Sequence, residues 1–376
     1  MAPLHLMVGV ALAQDPSEEE QPADEYPDSI IENEEDEAPE SNGVQSDLRL
    51  IREHVSAVEL KENVGLVYTM VYAEGPQSES LGQTHTEETP FEIGSVSKVF
   101  TGLLLHDMVQ KGEVTLDTTV RDILPDVKMR DDVAAITLKE LATHSSGLGR
   151  MPPNLGTIYL LRHAKNPYAD YDRKKLYKAL SRAKIAEEGF EYSNFGAGLL
   201  GDLLSVKAGK PYCTLIDERI TQPHNLNTIT CSSIPDGIAQ PHLWTGDENP
   251  VWEFDSLAGA GAIRANSLEL GVLLSHLDLL YMERALENGH PDYMNTHYKD
   301  EEQEVGLGWM IFDIEGERCY VHDGMTGGSS SFVGACPEQE LGIILLMNQQ
   351  DLKFTLTKAG LDALRSLVVQ SKQARD

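Results

Sequence analysis

Basic residues are missing from the first 48 positions of this chain, although 14 acids fall between Asp15 and Asp47. Over all 376 residues, 61 Asp and Glu face 30 Lys and Arg, a formal net charge of −31. From Arg49 onward 47 acids face 30 bases, so the body is acidic as well, at −17. Nucleic-acid binding works by neutralising phosphates with Lys and Arg, and neither part of the chain is suited to it. No C-x-x-C spacing joins Cys213, Cys231, Cys319 and Cys336, and no H-E-x-x-H pair occurs among the twelve histidines. A metal site is therefore not indicated, and no cofactor is expected. The G-x-S-x-G elbow is absent too, which excludes the α/β-hydrolase type of nucleophile turn. No apolar run is long enough to cross a bilayer as a helix. A chain of this length is also no small stapled scaffold. Spacing leaves the cysteines open between disulfides and buried free thiols.

What is present begins with an apolar run at residues 4–13, LHLMVGVALA, ending in Ala11-Leu12-Ala13 before Gln14. It has the length of a signal-peptide core and a small-residue cleavage site, without the usual basic start. Residues 1–13 are read as a signal peptide, which makes the protein secreted or periplasmic. Residues 14–46 are rich in Glu, Asp, Pro and Ser. They offer too little apolar surface to offset the entropy of ordering, so they are read as an acidic disordered tether.

The folded part is expected over residues 47–376. Leu48, Ile51, Val55 and Val58 recur at helical spacing, and residues 64–72, VGLVYTMVY, read as a buried strand. Strand-like runs return at 308–314, 318–322, 330–335 and 342–347, followed by a helical stretch at 355–369. Between them the periodicity is mostly helical. This order predicts an α+β fold: an antiparallel sheet built from both ends of the chain (about 47–94 and 305–376) and flanked by terminal helices. A mostly helical lobe (about 95–304) would be inserted, with chemistry in the cleft between.

Three motifs carry chemistry. Ser95-Val96-Ser97-Lys98 opens an apolar helix that stops at Gly112. Positions i and i+3 share a helix face, so Lys98 can reach the Ser95 hydroxyl and act on it as a base. Taken alone, S-x-x-K also describes a helix cap followed by a solvated lysine. The second motif is Tyr192-Ser193-Asn194, ahead of another apolar helix. It can aim a phenol for proton relay and a carboxamide that holds Lys98 or the substrate. The third, His322-Asp323-Gly324-Met325, closes a strand-like run and leads into Gly327-Gly328. Gly324 lets a substrate backbone lie against the strand, and the Met325 N–H is placed to complete an oxyanion hole with that of Ser95. His144 reads as a structural loop histidine, and Trp244, Trp252 and Trp309 as core or cleft walls.

In this order and spacing, with 97 residues from Ser95 to Tyr192 and 130 from there to His322, the motifs resemble those of the serine β-lactamase and penicillin-binding-protein superfamily. The nearest branch is the class C β-lactamases, with the related D-alanyl-D-alanine carboxypeptidases and esterases. Residues 141–148, LATHSSGL, are similar to the L-L-T-H-T-S-G-L of that family. Residues 257–263, LAGAGAI, with Ser267 and Leu270, are similar to its Gly-rich segment, and residues 306–309 and 345–348 match further landmarks. The resemblance spans about residues 48–370. It implies Ser95 as the acylated nucleophile, Lys98 as base, Tyr192 as general acid/base, Asn194 as orienter, and His322, Gly324 and Met325 as substrate-binding. The implied substrate is a small molecule or peptide with an amide or ester bond (β-lactam, D-alanyl peptide or acyl ester); apart from the resemblance, a monomer is expected, although the sequence does not fix the oligomeric state. A penicillin-binding or scaffold protein without turnover is the alternative. Two departures stand out. His322 occupies the place of the Lys in K-T-G, and a histidine is the weaker anchor for a carboxylate. The loop after Leu148 has no counterpart of the family's substrate-binding Gln; Met151 or Asn154 stands near that place.

Overall fold

The computed structural model describes residues 39–72, 75–156, 163, 165–186, 189–276 and 292–375. The expected leader, and the acidic stretch as far as residue 38, lie outside them. A helix runs through Pro39–Val55, across the expected boundary between tether and folded part. Its Asp47 carboxylate accepts hydrogen bonds from the Tyr72 hydroxyl (2.9 Å) and the Gln370 amide (2.6 Å).

Among the described residues ten strands follow in chain order. They are β1 (Gly65–Tyr72), β2 (Gly75–Gly82), β3 (Phe91–Glu92), β4 (Arg264–Ala265), β5 (Tyr298–Lys299), β6 (Glu304–Val305), β7 (Met310–Ile314), β8 (Glu317–Met325), β9 (Ser330–Cys336) and β10 (Leu341–Met347). Eight form one antiparallel sheet in the order β2-β1-β10-β9-β8-β7-β6-β5, while β3 and β4 pair separately. The two ends of the chain meet where β1 pairs with β10, from Leu66 opposite Met347 to Val71 opposite Gly342. Every strand expected from the sequence is present in this α+β fold. Three strands of the large sheet, and the β3–β4 pair, were not foreseen. The polar GPQSESLG of β2 has little β-propensity, but as an edge strand it needs only its pairing with β1. The two-residue strands β5 and β6 extend the far edge from within the stretch expected to be helical.

Side chains alternate across the pleat, so each strand feeds two cores. Leu66, Tyr68 and Met70 of β1 pack with Ile343, Leu345 and Met347 of β10 beneath the terminal helices Pro39–Val55 and Thr355–Arg375. Val67 and Val71 of β1 join Ile344 and Leu346 in a second core with the helical body. The central Ser97–Gln110 helix is buried on nearly every side, between the Asn194–Ala208 helix and the segment 258–260. Of the tryptophans, Trp309 is fully buried, while Trp244 is 55% exposed and forms no wall of core or cleft. The cysteines pair as Cys213–Cys231 and Cys319–Cys336. The second pair links directly opposed residues of β8 and β9, in register with Tyr320 opposite Ala335. Among the described residues no helix is long and apolar enough to cross a membrane.

Candidate active site

Ser95 stands on a single 3-10 turn, Gly94–Val96, that runs directly into the Ser97–Gln110 helix. The turn is pressed against the end of β8. A Cβ on Gly94, whose φ is +49°, would fall 2.6 Å from the Met325 nitrogen. One on Gly324 would fall 2.1 Å from the Ile93 carbonyl oxygen and 2.8 Å from the Ser95 nitrogen. Glycine at both positions is what allows the two segments to touch. The backbones of Ser95 and Met325 are thereby neighbours, as the sequence predicts, but Gly324 is spent on packing against Ser95.

The Lys98 side-chain nitrogen lies 2.8 Å from Ser95 Oγ and donates to the Ala260 carbonyl at 2.7 Å. The segment containing Ala260 is tied to the same helix twice more. Ile263 N–H donates to Ser97 Oγ (3.0 Å), and Thr101 Oγ1 donates to the Gly259 carbonyl (2.8 Å). Lys98 is only 2% exposed. Burial therefore holds its pKa well below the usual lysine range, and the Arg150 charge lowers it further against the opposing pull of Asp323.

Ser193 is the helix cap that fixes the second motif. Its Oγ accepts from Gly196 N–H (2.8 Å) and starts the Asn194–Ala208 helix, which Gly209 ends in a left-handed conformation. The cap places Tyr192 just before the helix and Asn194 at its first position. The Tyr192 ring centroid lies 5.0 Å from Lys98 Nζ, 5.2 Å from Arg150 Cζ and 4.4 Å from the His144 ring. Burial raises the Tyr192 pKa, with a hydrogen bond to Ser95 pulling the other way, so the phenol stays protonated at neutral pH. Asn194 lines the cleft. Its amide points to Met151 Sδ (3.8 Å), while the Lys98 nitrogen is held by Ser95 and Ala260.

His322 is buried beside Tyr192, with ring centroids 6.4 Å apart. Burial, followed by the nearby Lys98 charge, lowers its pKa to about 3, so the imidazole is neutral at pH 7 and supplies no countercharge. Its Nδ1 faces the Asp323 carbonyl at 2.7 Å and must carry the proton, leaving a lone pair on the buried Nε2. His144 is the opposite tautomer, since its Nδ1 accepts from Ser193 N–H (3.2 Å). It is a loop histidine as read, and it also braces Tyr192.

Sequence reasoning missed Glu92. This buried carboxylate accepts from Trp252 N–H (2.5 Å), Thr326 Oγ1 (2.8 Å) and Ser329 Oγ (3.4 Å), fastening β3 to the β8–β9 turn two residues before Gly94. Its signal was a lone acid between Phe91 and Ile93 in a buried strand. Ser95, Tyr168, Asn194, Trp252, Phe254, Ala260, Gly261, Met325 and Thr326 line the resulting narrow cleft. The arrangement offers a hydroxyl with an adjacent buried amine, a protonated phenol, and two backbone segments converging on the same point.

Comparison with known proteins gives the family. The beta-lactamase family model matches residues 62–365. A "Beta-lactamase" of Escherichia coli K12 is 24% identical over 339 residues, covering 78% of this chain and 86% of that protein. The "D-alanyl-D-alanine-carboxypeptidase/endopeptidase AmpH" of the same strain is 25% identical over 300 residues, covering 74% and 75%. "Esterase EstB" of Burkholderia gladioli is 26% identical over 189 residues, covering 48% of each. The chain belongs to the beta-lactamase family, within the superfamily of serine β-lactamases and penicillin-binding proteins.

Proposed function

We propose that the protein is a serine acyl-hydrolase that opens an amide or ester through an acyl-enzyme at Ser95. The observation that carries this reading is the 2.8 Å contact between Ser95 Oγ and the buried Lys98 amine. Desolvation favours the uncharged amine, whose lone pair takes the hydroxyl proton as Oγ bonds to the carbonyl carbon. The electron pair displaced onto the carbonyl oxygen is stabilised by the Ser95 and Met325 N–H groups. Collapse of the intermediate breaks the bond to the leaving nitrogen or oxygen. That atom takes a proton from the Tyr192 hydroxyl, which recovers one from Lys98. Water then attacks the acyl-enzyme by the same route and releases the acid.

Asn194 orients the substrate from the cleft wall. His322 contributes a neutral hydrogen-bonding edge beside Tyr192. The family relatives support a β-lactam, a D-alanyl peptide or a small acyl ester as the substrate. The two disulfides support an exported location, since such bonds persist in oxidising compartments.

The test is covalent trapping with a fluorophosphonate and with a labelled penicillin, followed by mapping of the adduct. Label on Ser95, lost in Ser95→Ala together with turnover of a chromogenic lactam, an ester and a D-alanyl peptide, is the expected result. Turnover that survives Ser95→Ala would rule the mechanism out. A penicilloyl adduct on Ser95 that forms but never releases would instead favour the penicillin-binding reading.

A further inference from the structure

An acyl site of this kind gains selectivity from charges placed beside the scissile bond, and the position expected to supply one does not. His322 is buried and neutral at pH 7. The Lys98 amine is committed to Ser95 and to the Ala260 carbonyl. A different permanent cation is present. Arg150 lies in the loop after Leu148, where the sequence offers no counterpart of a substrate-binding glutamine.

Three observations define its placement. Its carbonyl accepts from both Asn194 N–H (2.9 Å) and Phe195 N–H (3.2 Å), which locks the loop onto the start of the Asn194–Ala208 helix. Its guanidinium carbon lies 5.2 Å from the Tyr192 ring centroid, a cation–π contact comparable to the 5.0 Å approach of Lys98 to the same ring. It is only partly buried, and the next residue, Met151, touches both Asn194 and the Tyr168 hydroxyl, two walls of the cleft. The charge is felt across the whole site. It helps to lower the pKa values of Lys98 and His144 and counteracts the rise that burial imposes on Tyr192, Tyr168 and Asp323.

We propose that Arg150 is a specificity-determining residue that selects substrates bearing a carboxylate close to the scissile carbonyl, with the Tyr192 ring holding the guanidinium in place. This rests on the Ser95 acyl-enzyme reading. Arginine suits the task because its planar fork engages a carboxylate through two parallel N–H groups and stays charged at any working pH.

The test uses two pairs of phosphonylating probes that react with the nucleophilic serine whether or not turnover follows. In one pair a carboxylate replaces a methyl amide on the acyl side. In the other the same exchange is made on the leaving-group side. The second-order rate of Ser95 labelling is compared for the unsubstituted protein, Arg150→Gln and Arg150→Lys. The unsubstituted protein is expected to prefer the charged member of at least one pair. Arg150→Gln should lower that preference by about tenfold or more, and Arg150→Lys should restore part of it. The pair affected reports the side on which the carboxylate binds. An unchanged preference ratio in Arg150→Gln, with all rates lowered alike, would assign Arg150 to holding Tyr192 and overturn the proposal. If Arg150→Gln melts early, its ratio still decides, because a ratio of labelling rates on one preparation is independent of the folded fraction. Ser95 that none of the probes labels in the unsubstituted protein would sink the acyl-enzyme reading itself, and the proposal with it.

Discussion

The two faces of the sheet are built from the same strands and do opposite work. Beneath the terminal helices the buried residues are mostly aliphatic, and Leu66, Ile343, Leu345, Leu364 and Val368 are fully enclosed. On the other face the helical body encloses Lys98, His144 and Glu92, and β8 contributes His322, all of them polar groups taken out of water. Burying such groups costs free energy that aliphatic contacts do not. One face stores stability, and the other uses part of it to hold a reactive arrangement.

The largest break in that comparison is Lys98→Met. A side chain of similar length without the amine should reduce Ser95 acylation by about a thousandfold, as expected for loss of a general base. Its melting temperature should hold or rise, because a desolvated amine is removed. Acylation kinetics and a thermal melt on one preparation check both halves, and a variant that unfolds while the residual folded protein acylates normally would refute the contrast.

On the opposite face, Leu345→Ala should do the reverse. Leu345 faces Tyr68 and Phe332 across the neighbouring strands. Truncation should cost about 2–5 kcal/mol of stability, read by denaturant titration, with acylation per folded molecule unchanged. A change in acylation as large as that of Lys98→Met would erase the distinction between the faces.

Acid should weaken the polar face selectively. The His322 pKa is about 3 in the folded protein and ordinarily 6.5. Between those values the unfolded chain binds more protons, so stability falls as pH falls through that window, by up to roughly 1.4 kcal/mol per pH unit. His144, lowered mainly by burial, acts in the same direction, while Asp323, raised mainly by burial, opposes it. His322→Gln should flatten the pH dependence of the melt between about pH 6 and 4; a curve parallel to the unsubstituted protein would mean that His322 is not held neutral. The smallest effect belongs to the surface. Trp244→Ala should change stability by less than about 0.5 kcal/mol and leave acylation alone, which a melt and a labelling time course would show.

Part of the site is legible in sequence because it is local. The i, i+3 relation of Ser95 and Lys98 follows from helix geometry alone. The Tyr192-Ser193-Asn194 motif is visible ahead of an apolar helix, although the capping bond of Ser193 that fixes it appears only in the structure. Glu92, Ala260 and Arg150 are less legible because each acts across a long chain separation. Trp252 meets Glu92, Ala260 meets Lys98, and Arg150 meets Tyr192 only after the chain has folded back. His322 is an intermediate case. The departure from lysine is visible in the residue type, but its neutrality depends on burial.

By itself the sequence determined the α+β layout, the strands that join the two ends of the chain, and the order of the three motifs. Apolar periodicity and i, i+3 spacing act over a few residues and are written directly into the string. Tertiary structure decided the rest. It extended the first helix back to Pro39, recruited the polar β2 and the short β5 and β6, and paired the four cysteines. It also spent Gly324 on close packing and set the protonation of Lys98, Tyr192 and His322. Those outcomes depend on desolvation and on neighbours brought together from distant parts of the chain, quantities that have no value until the fold exists.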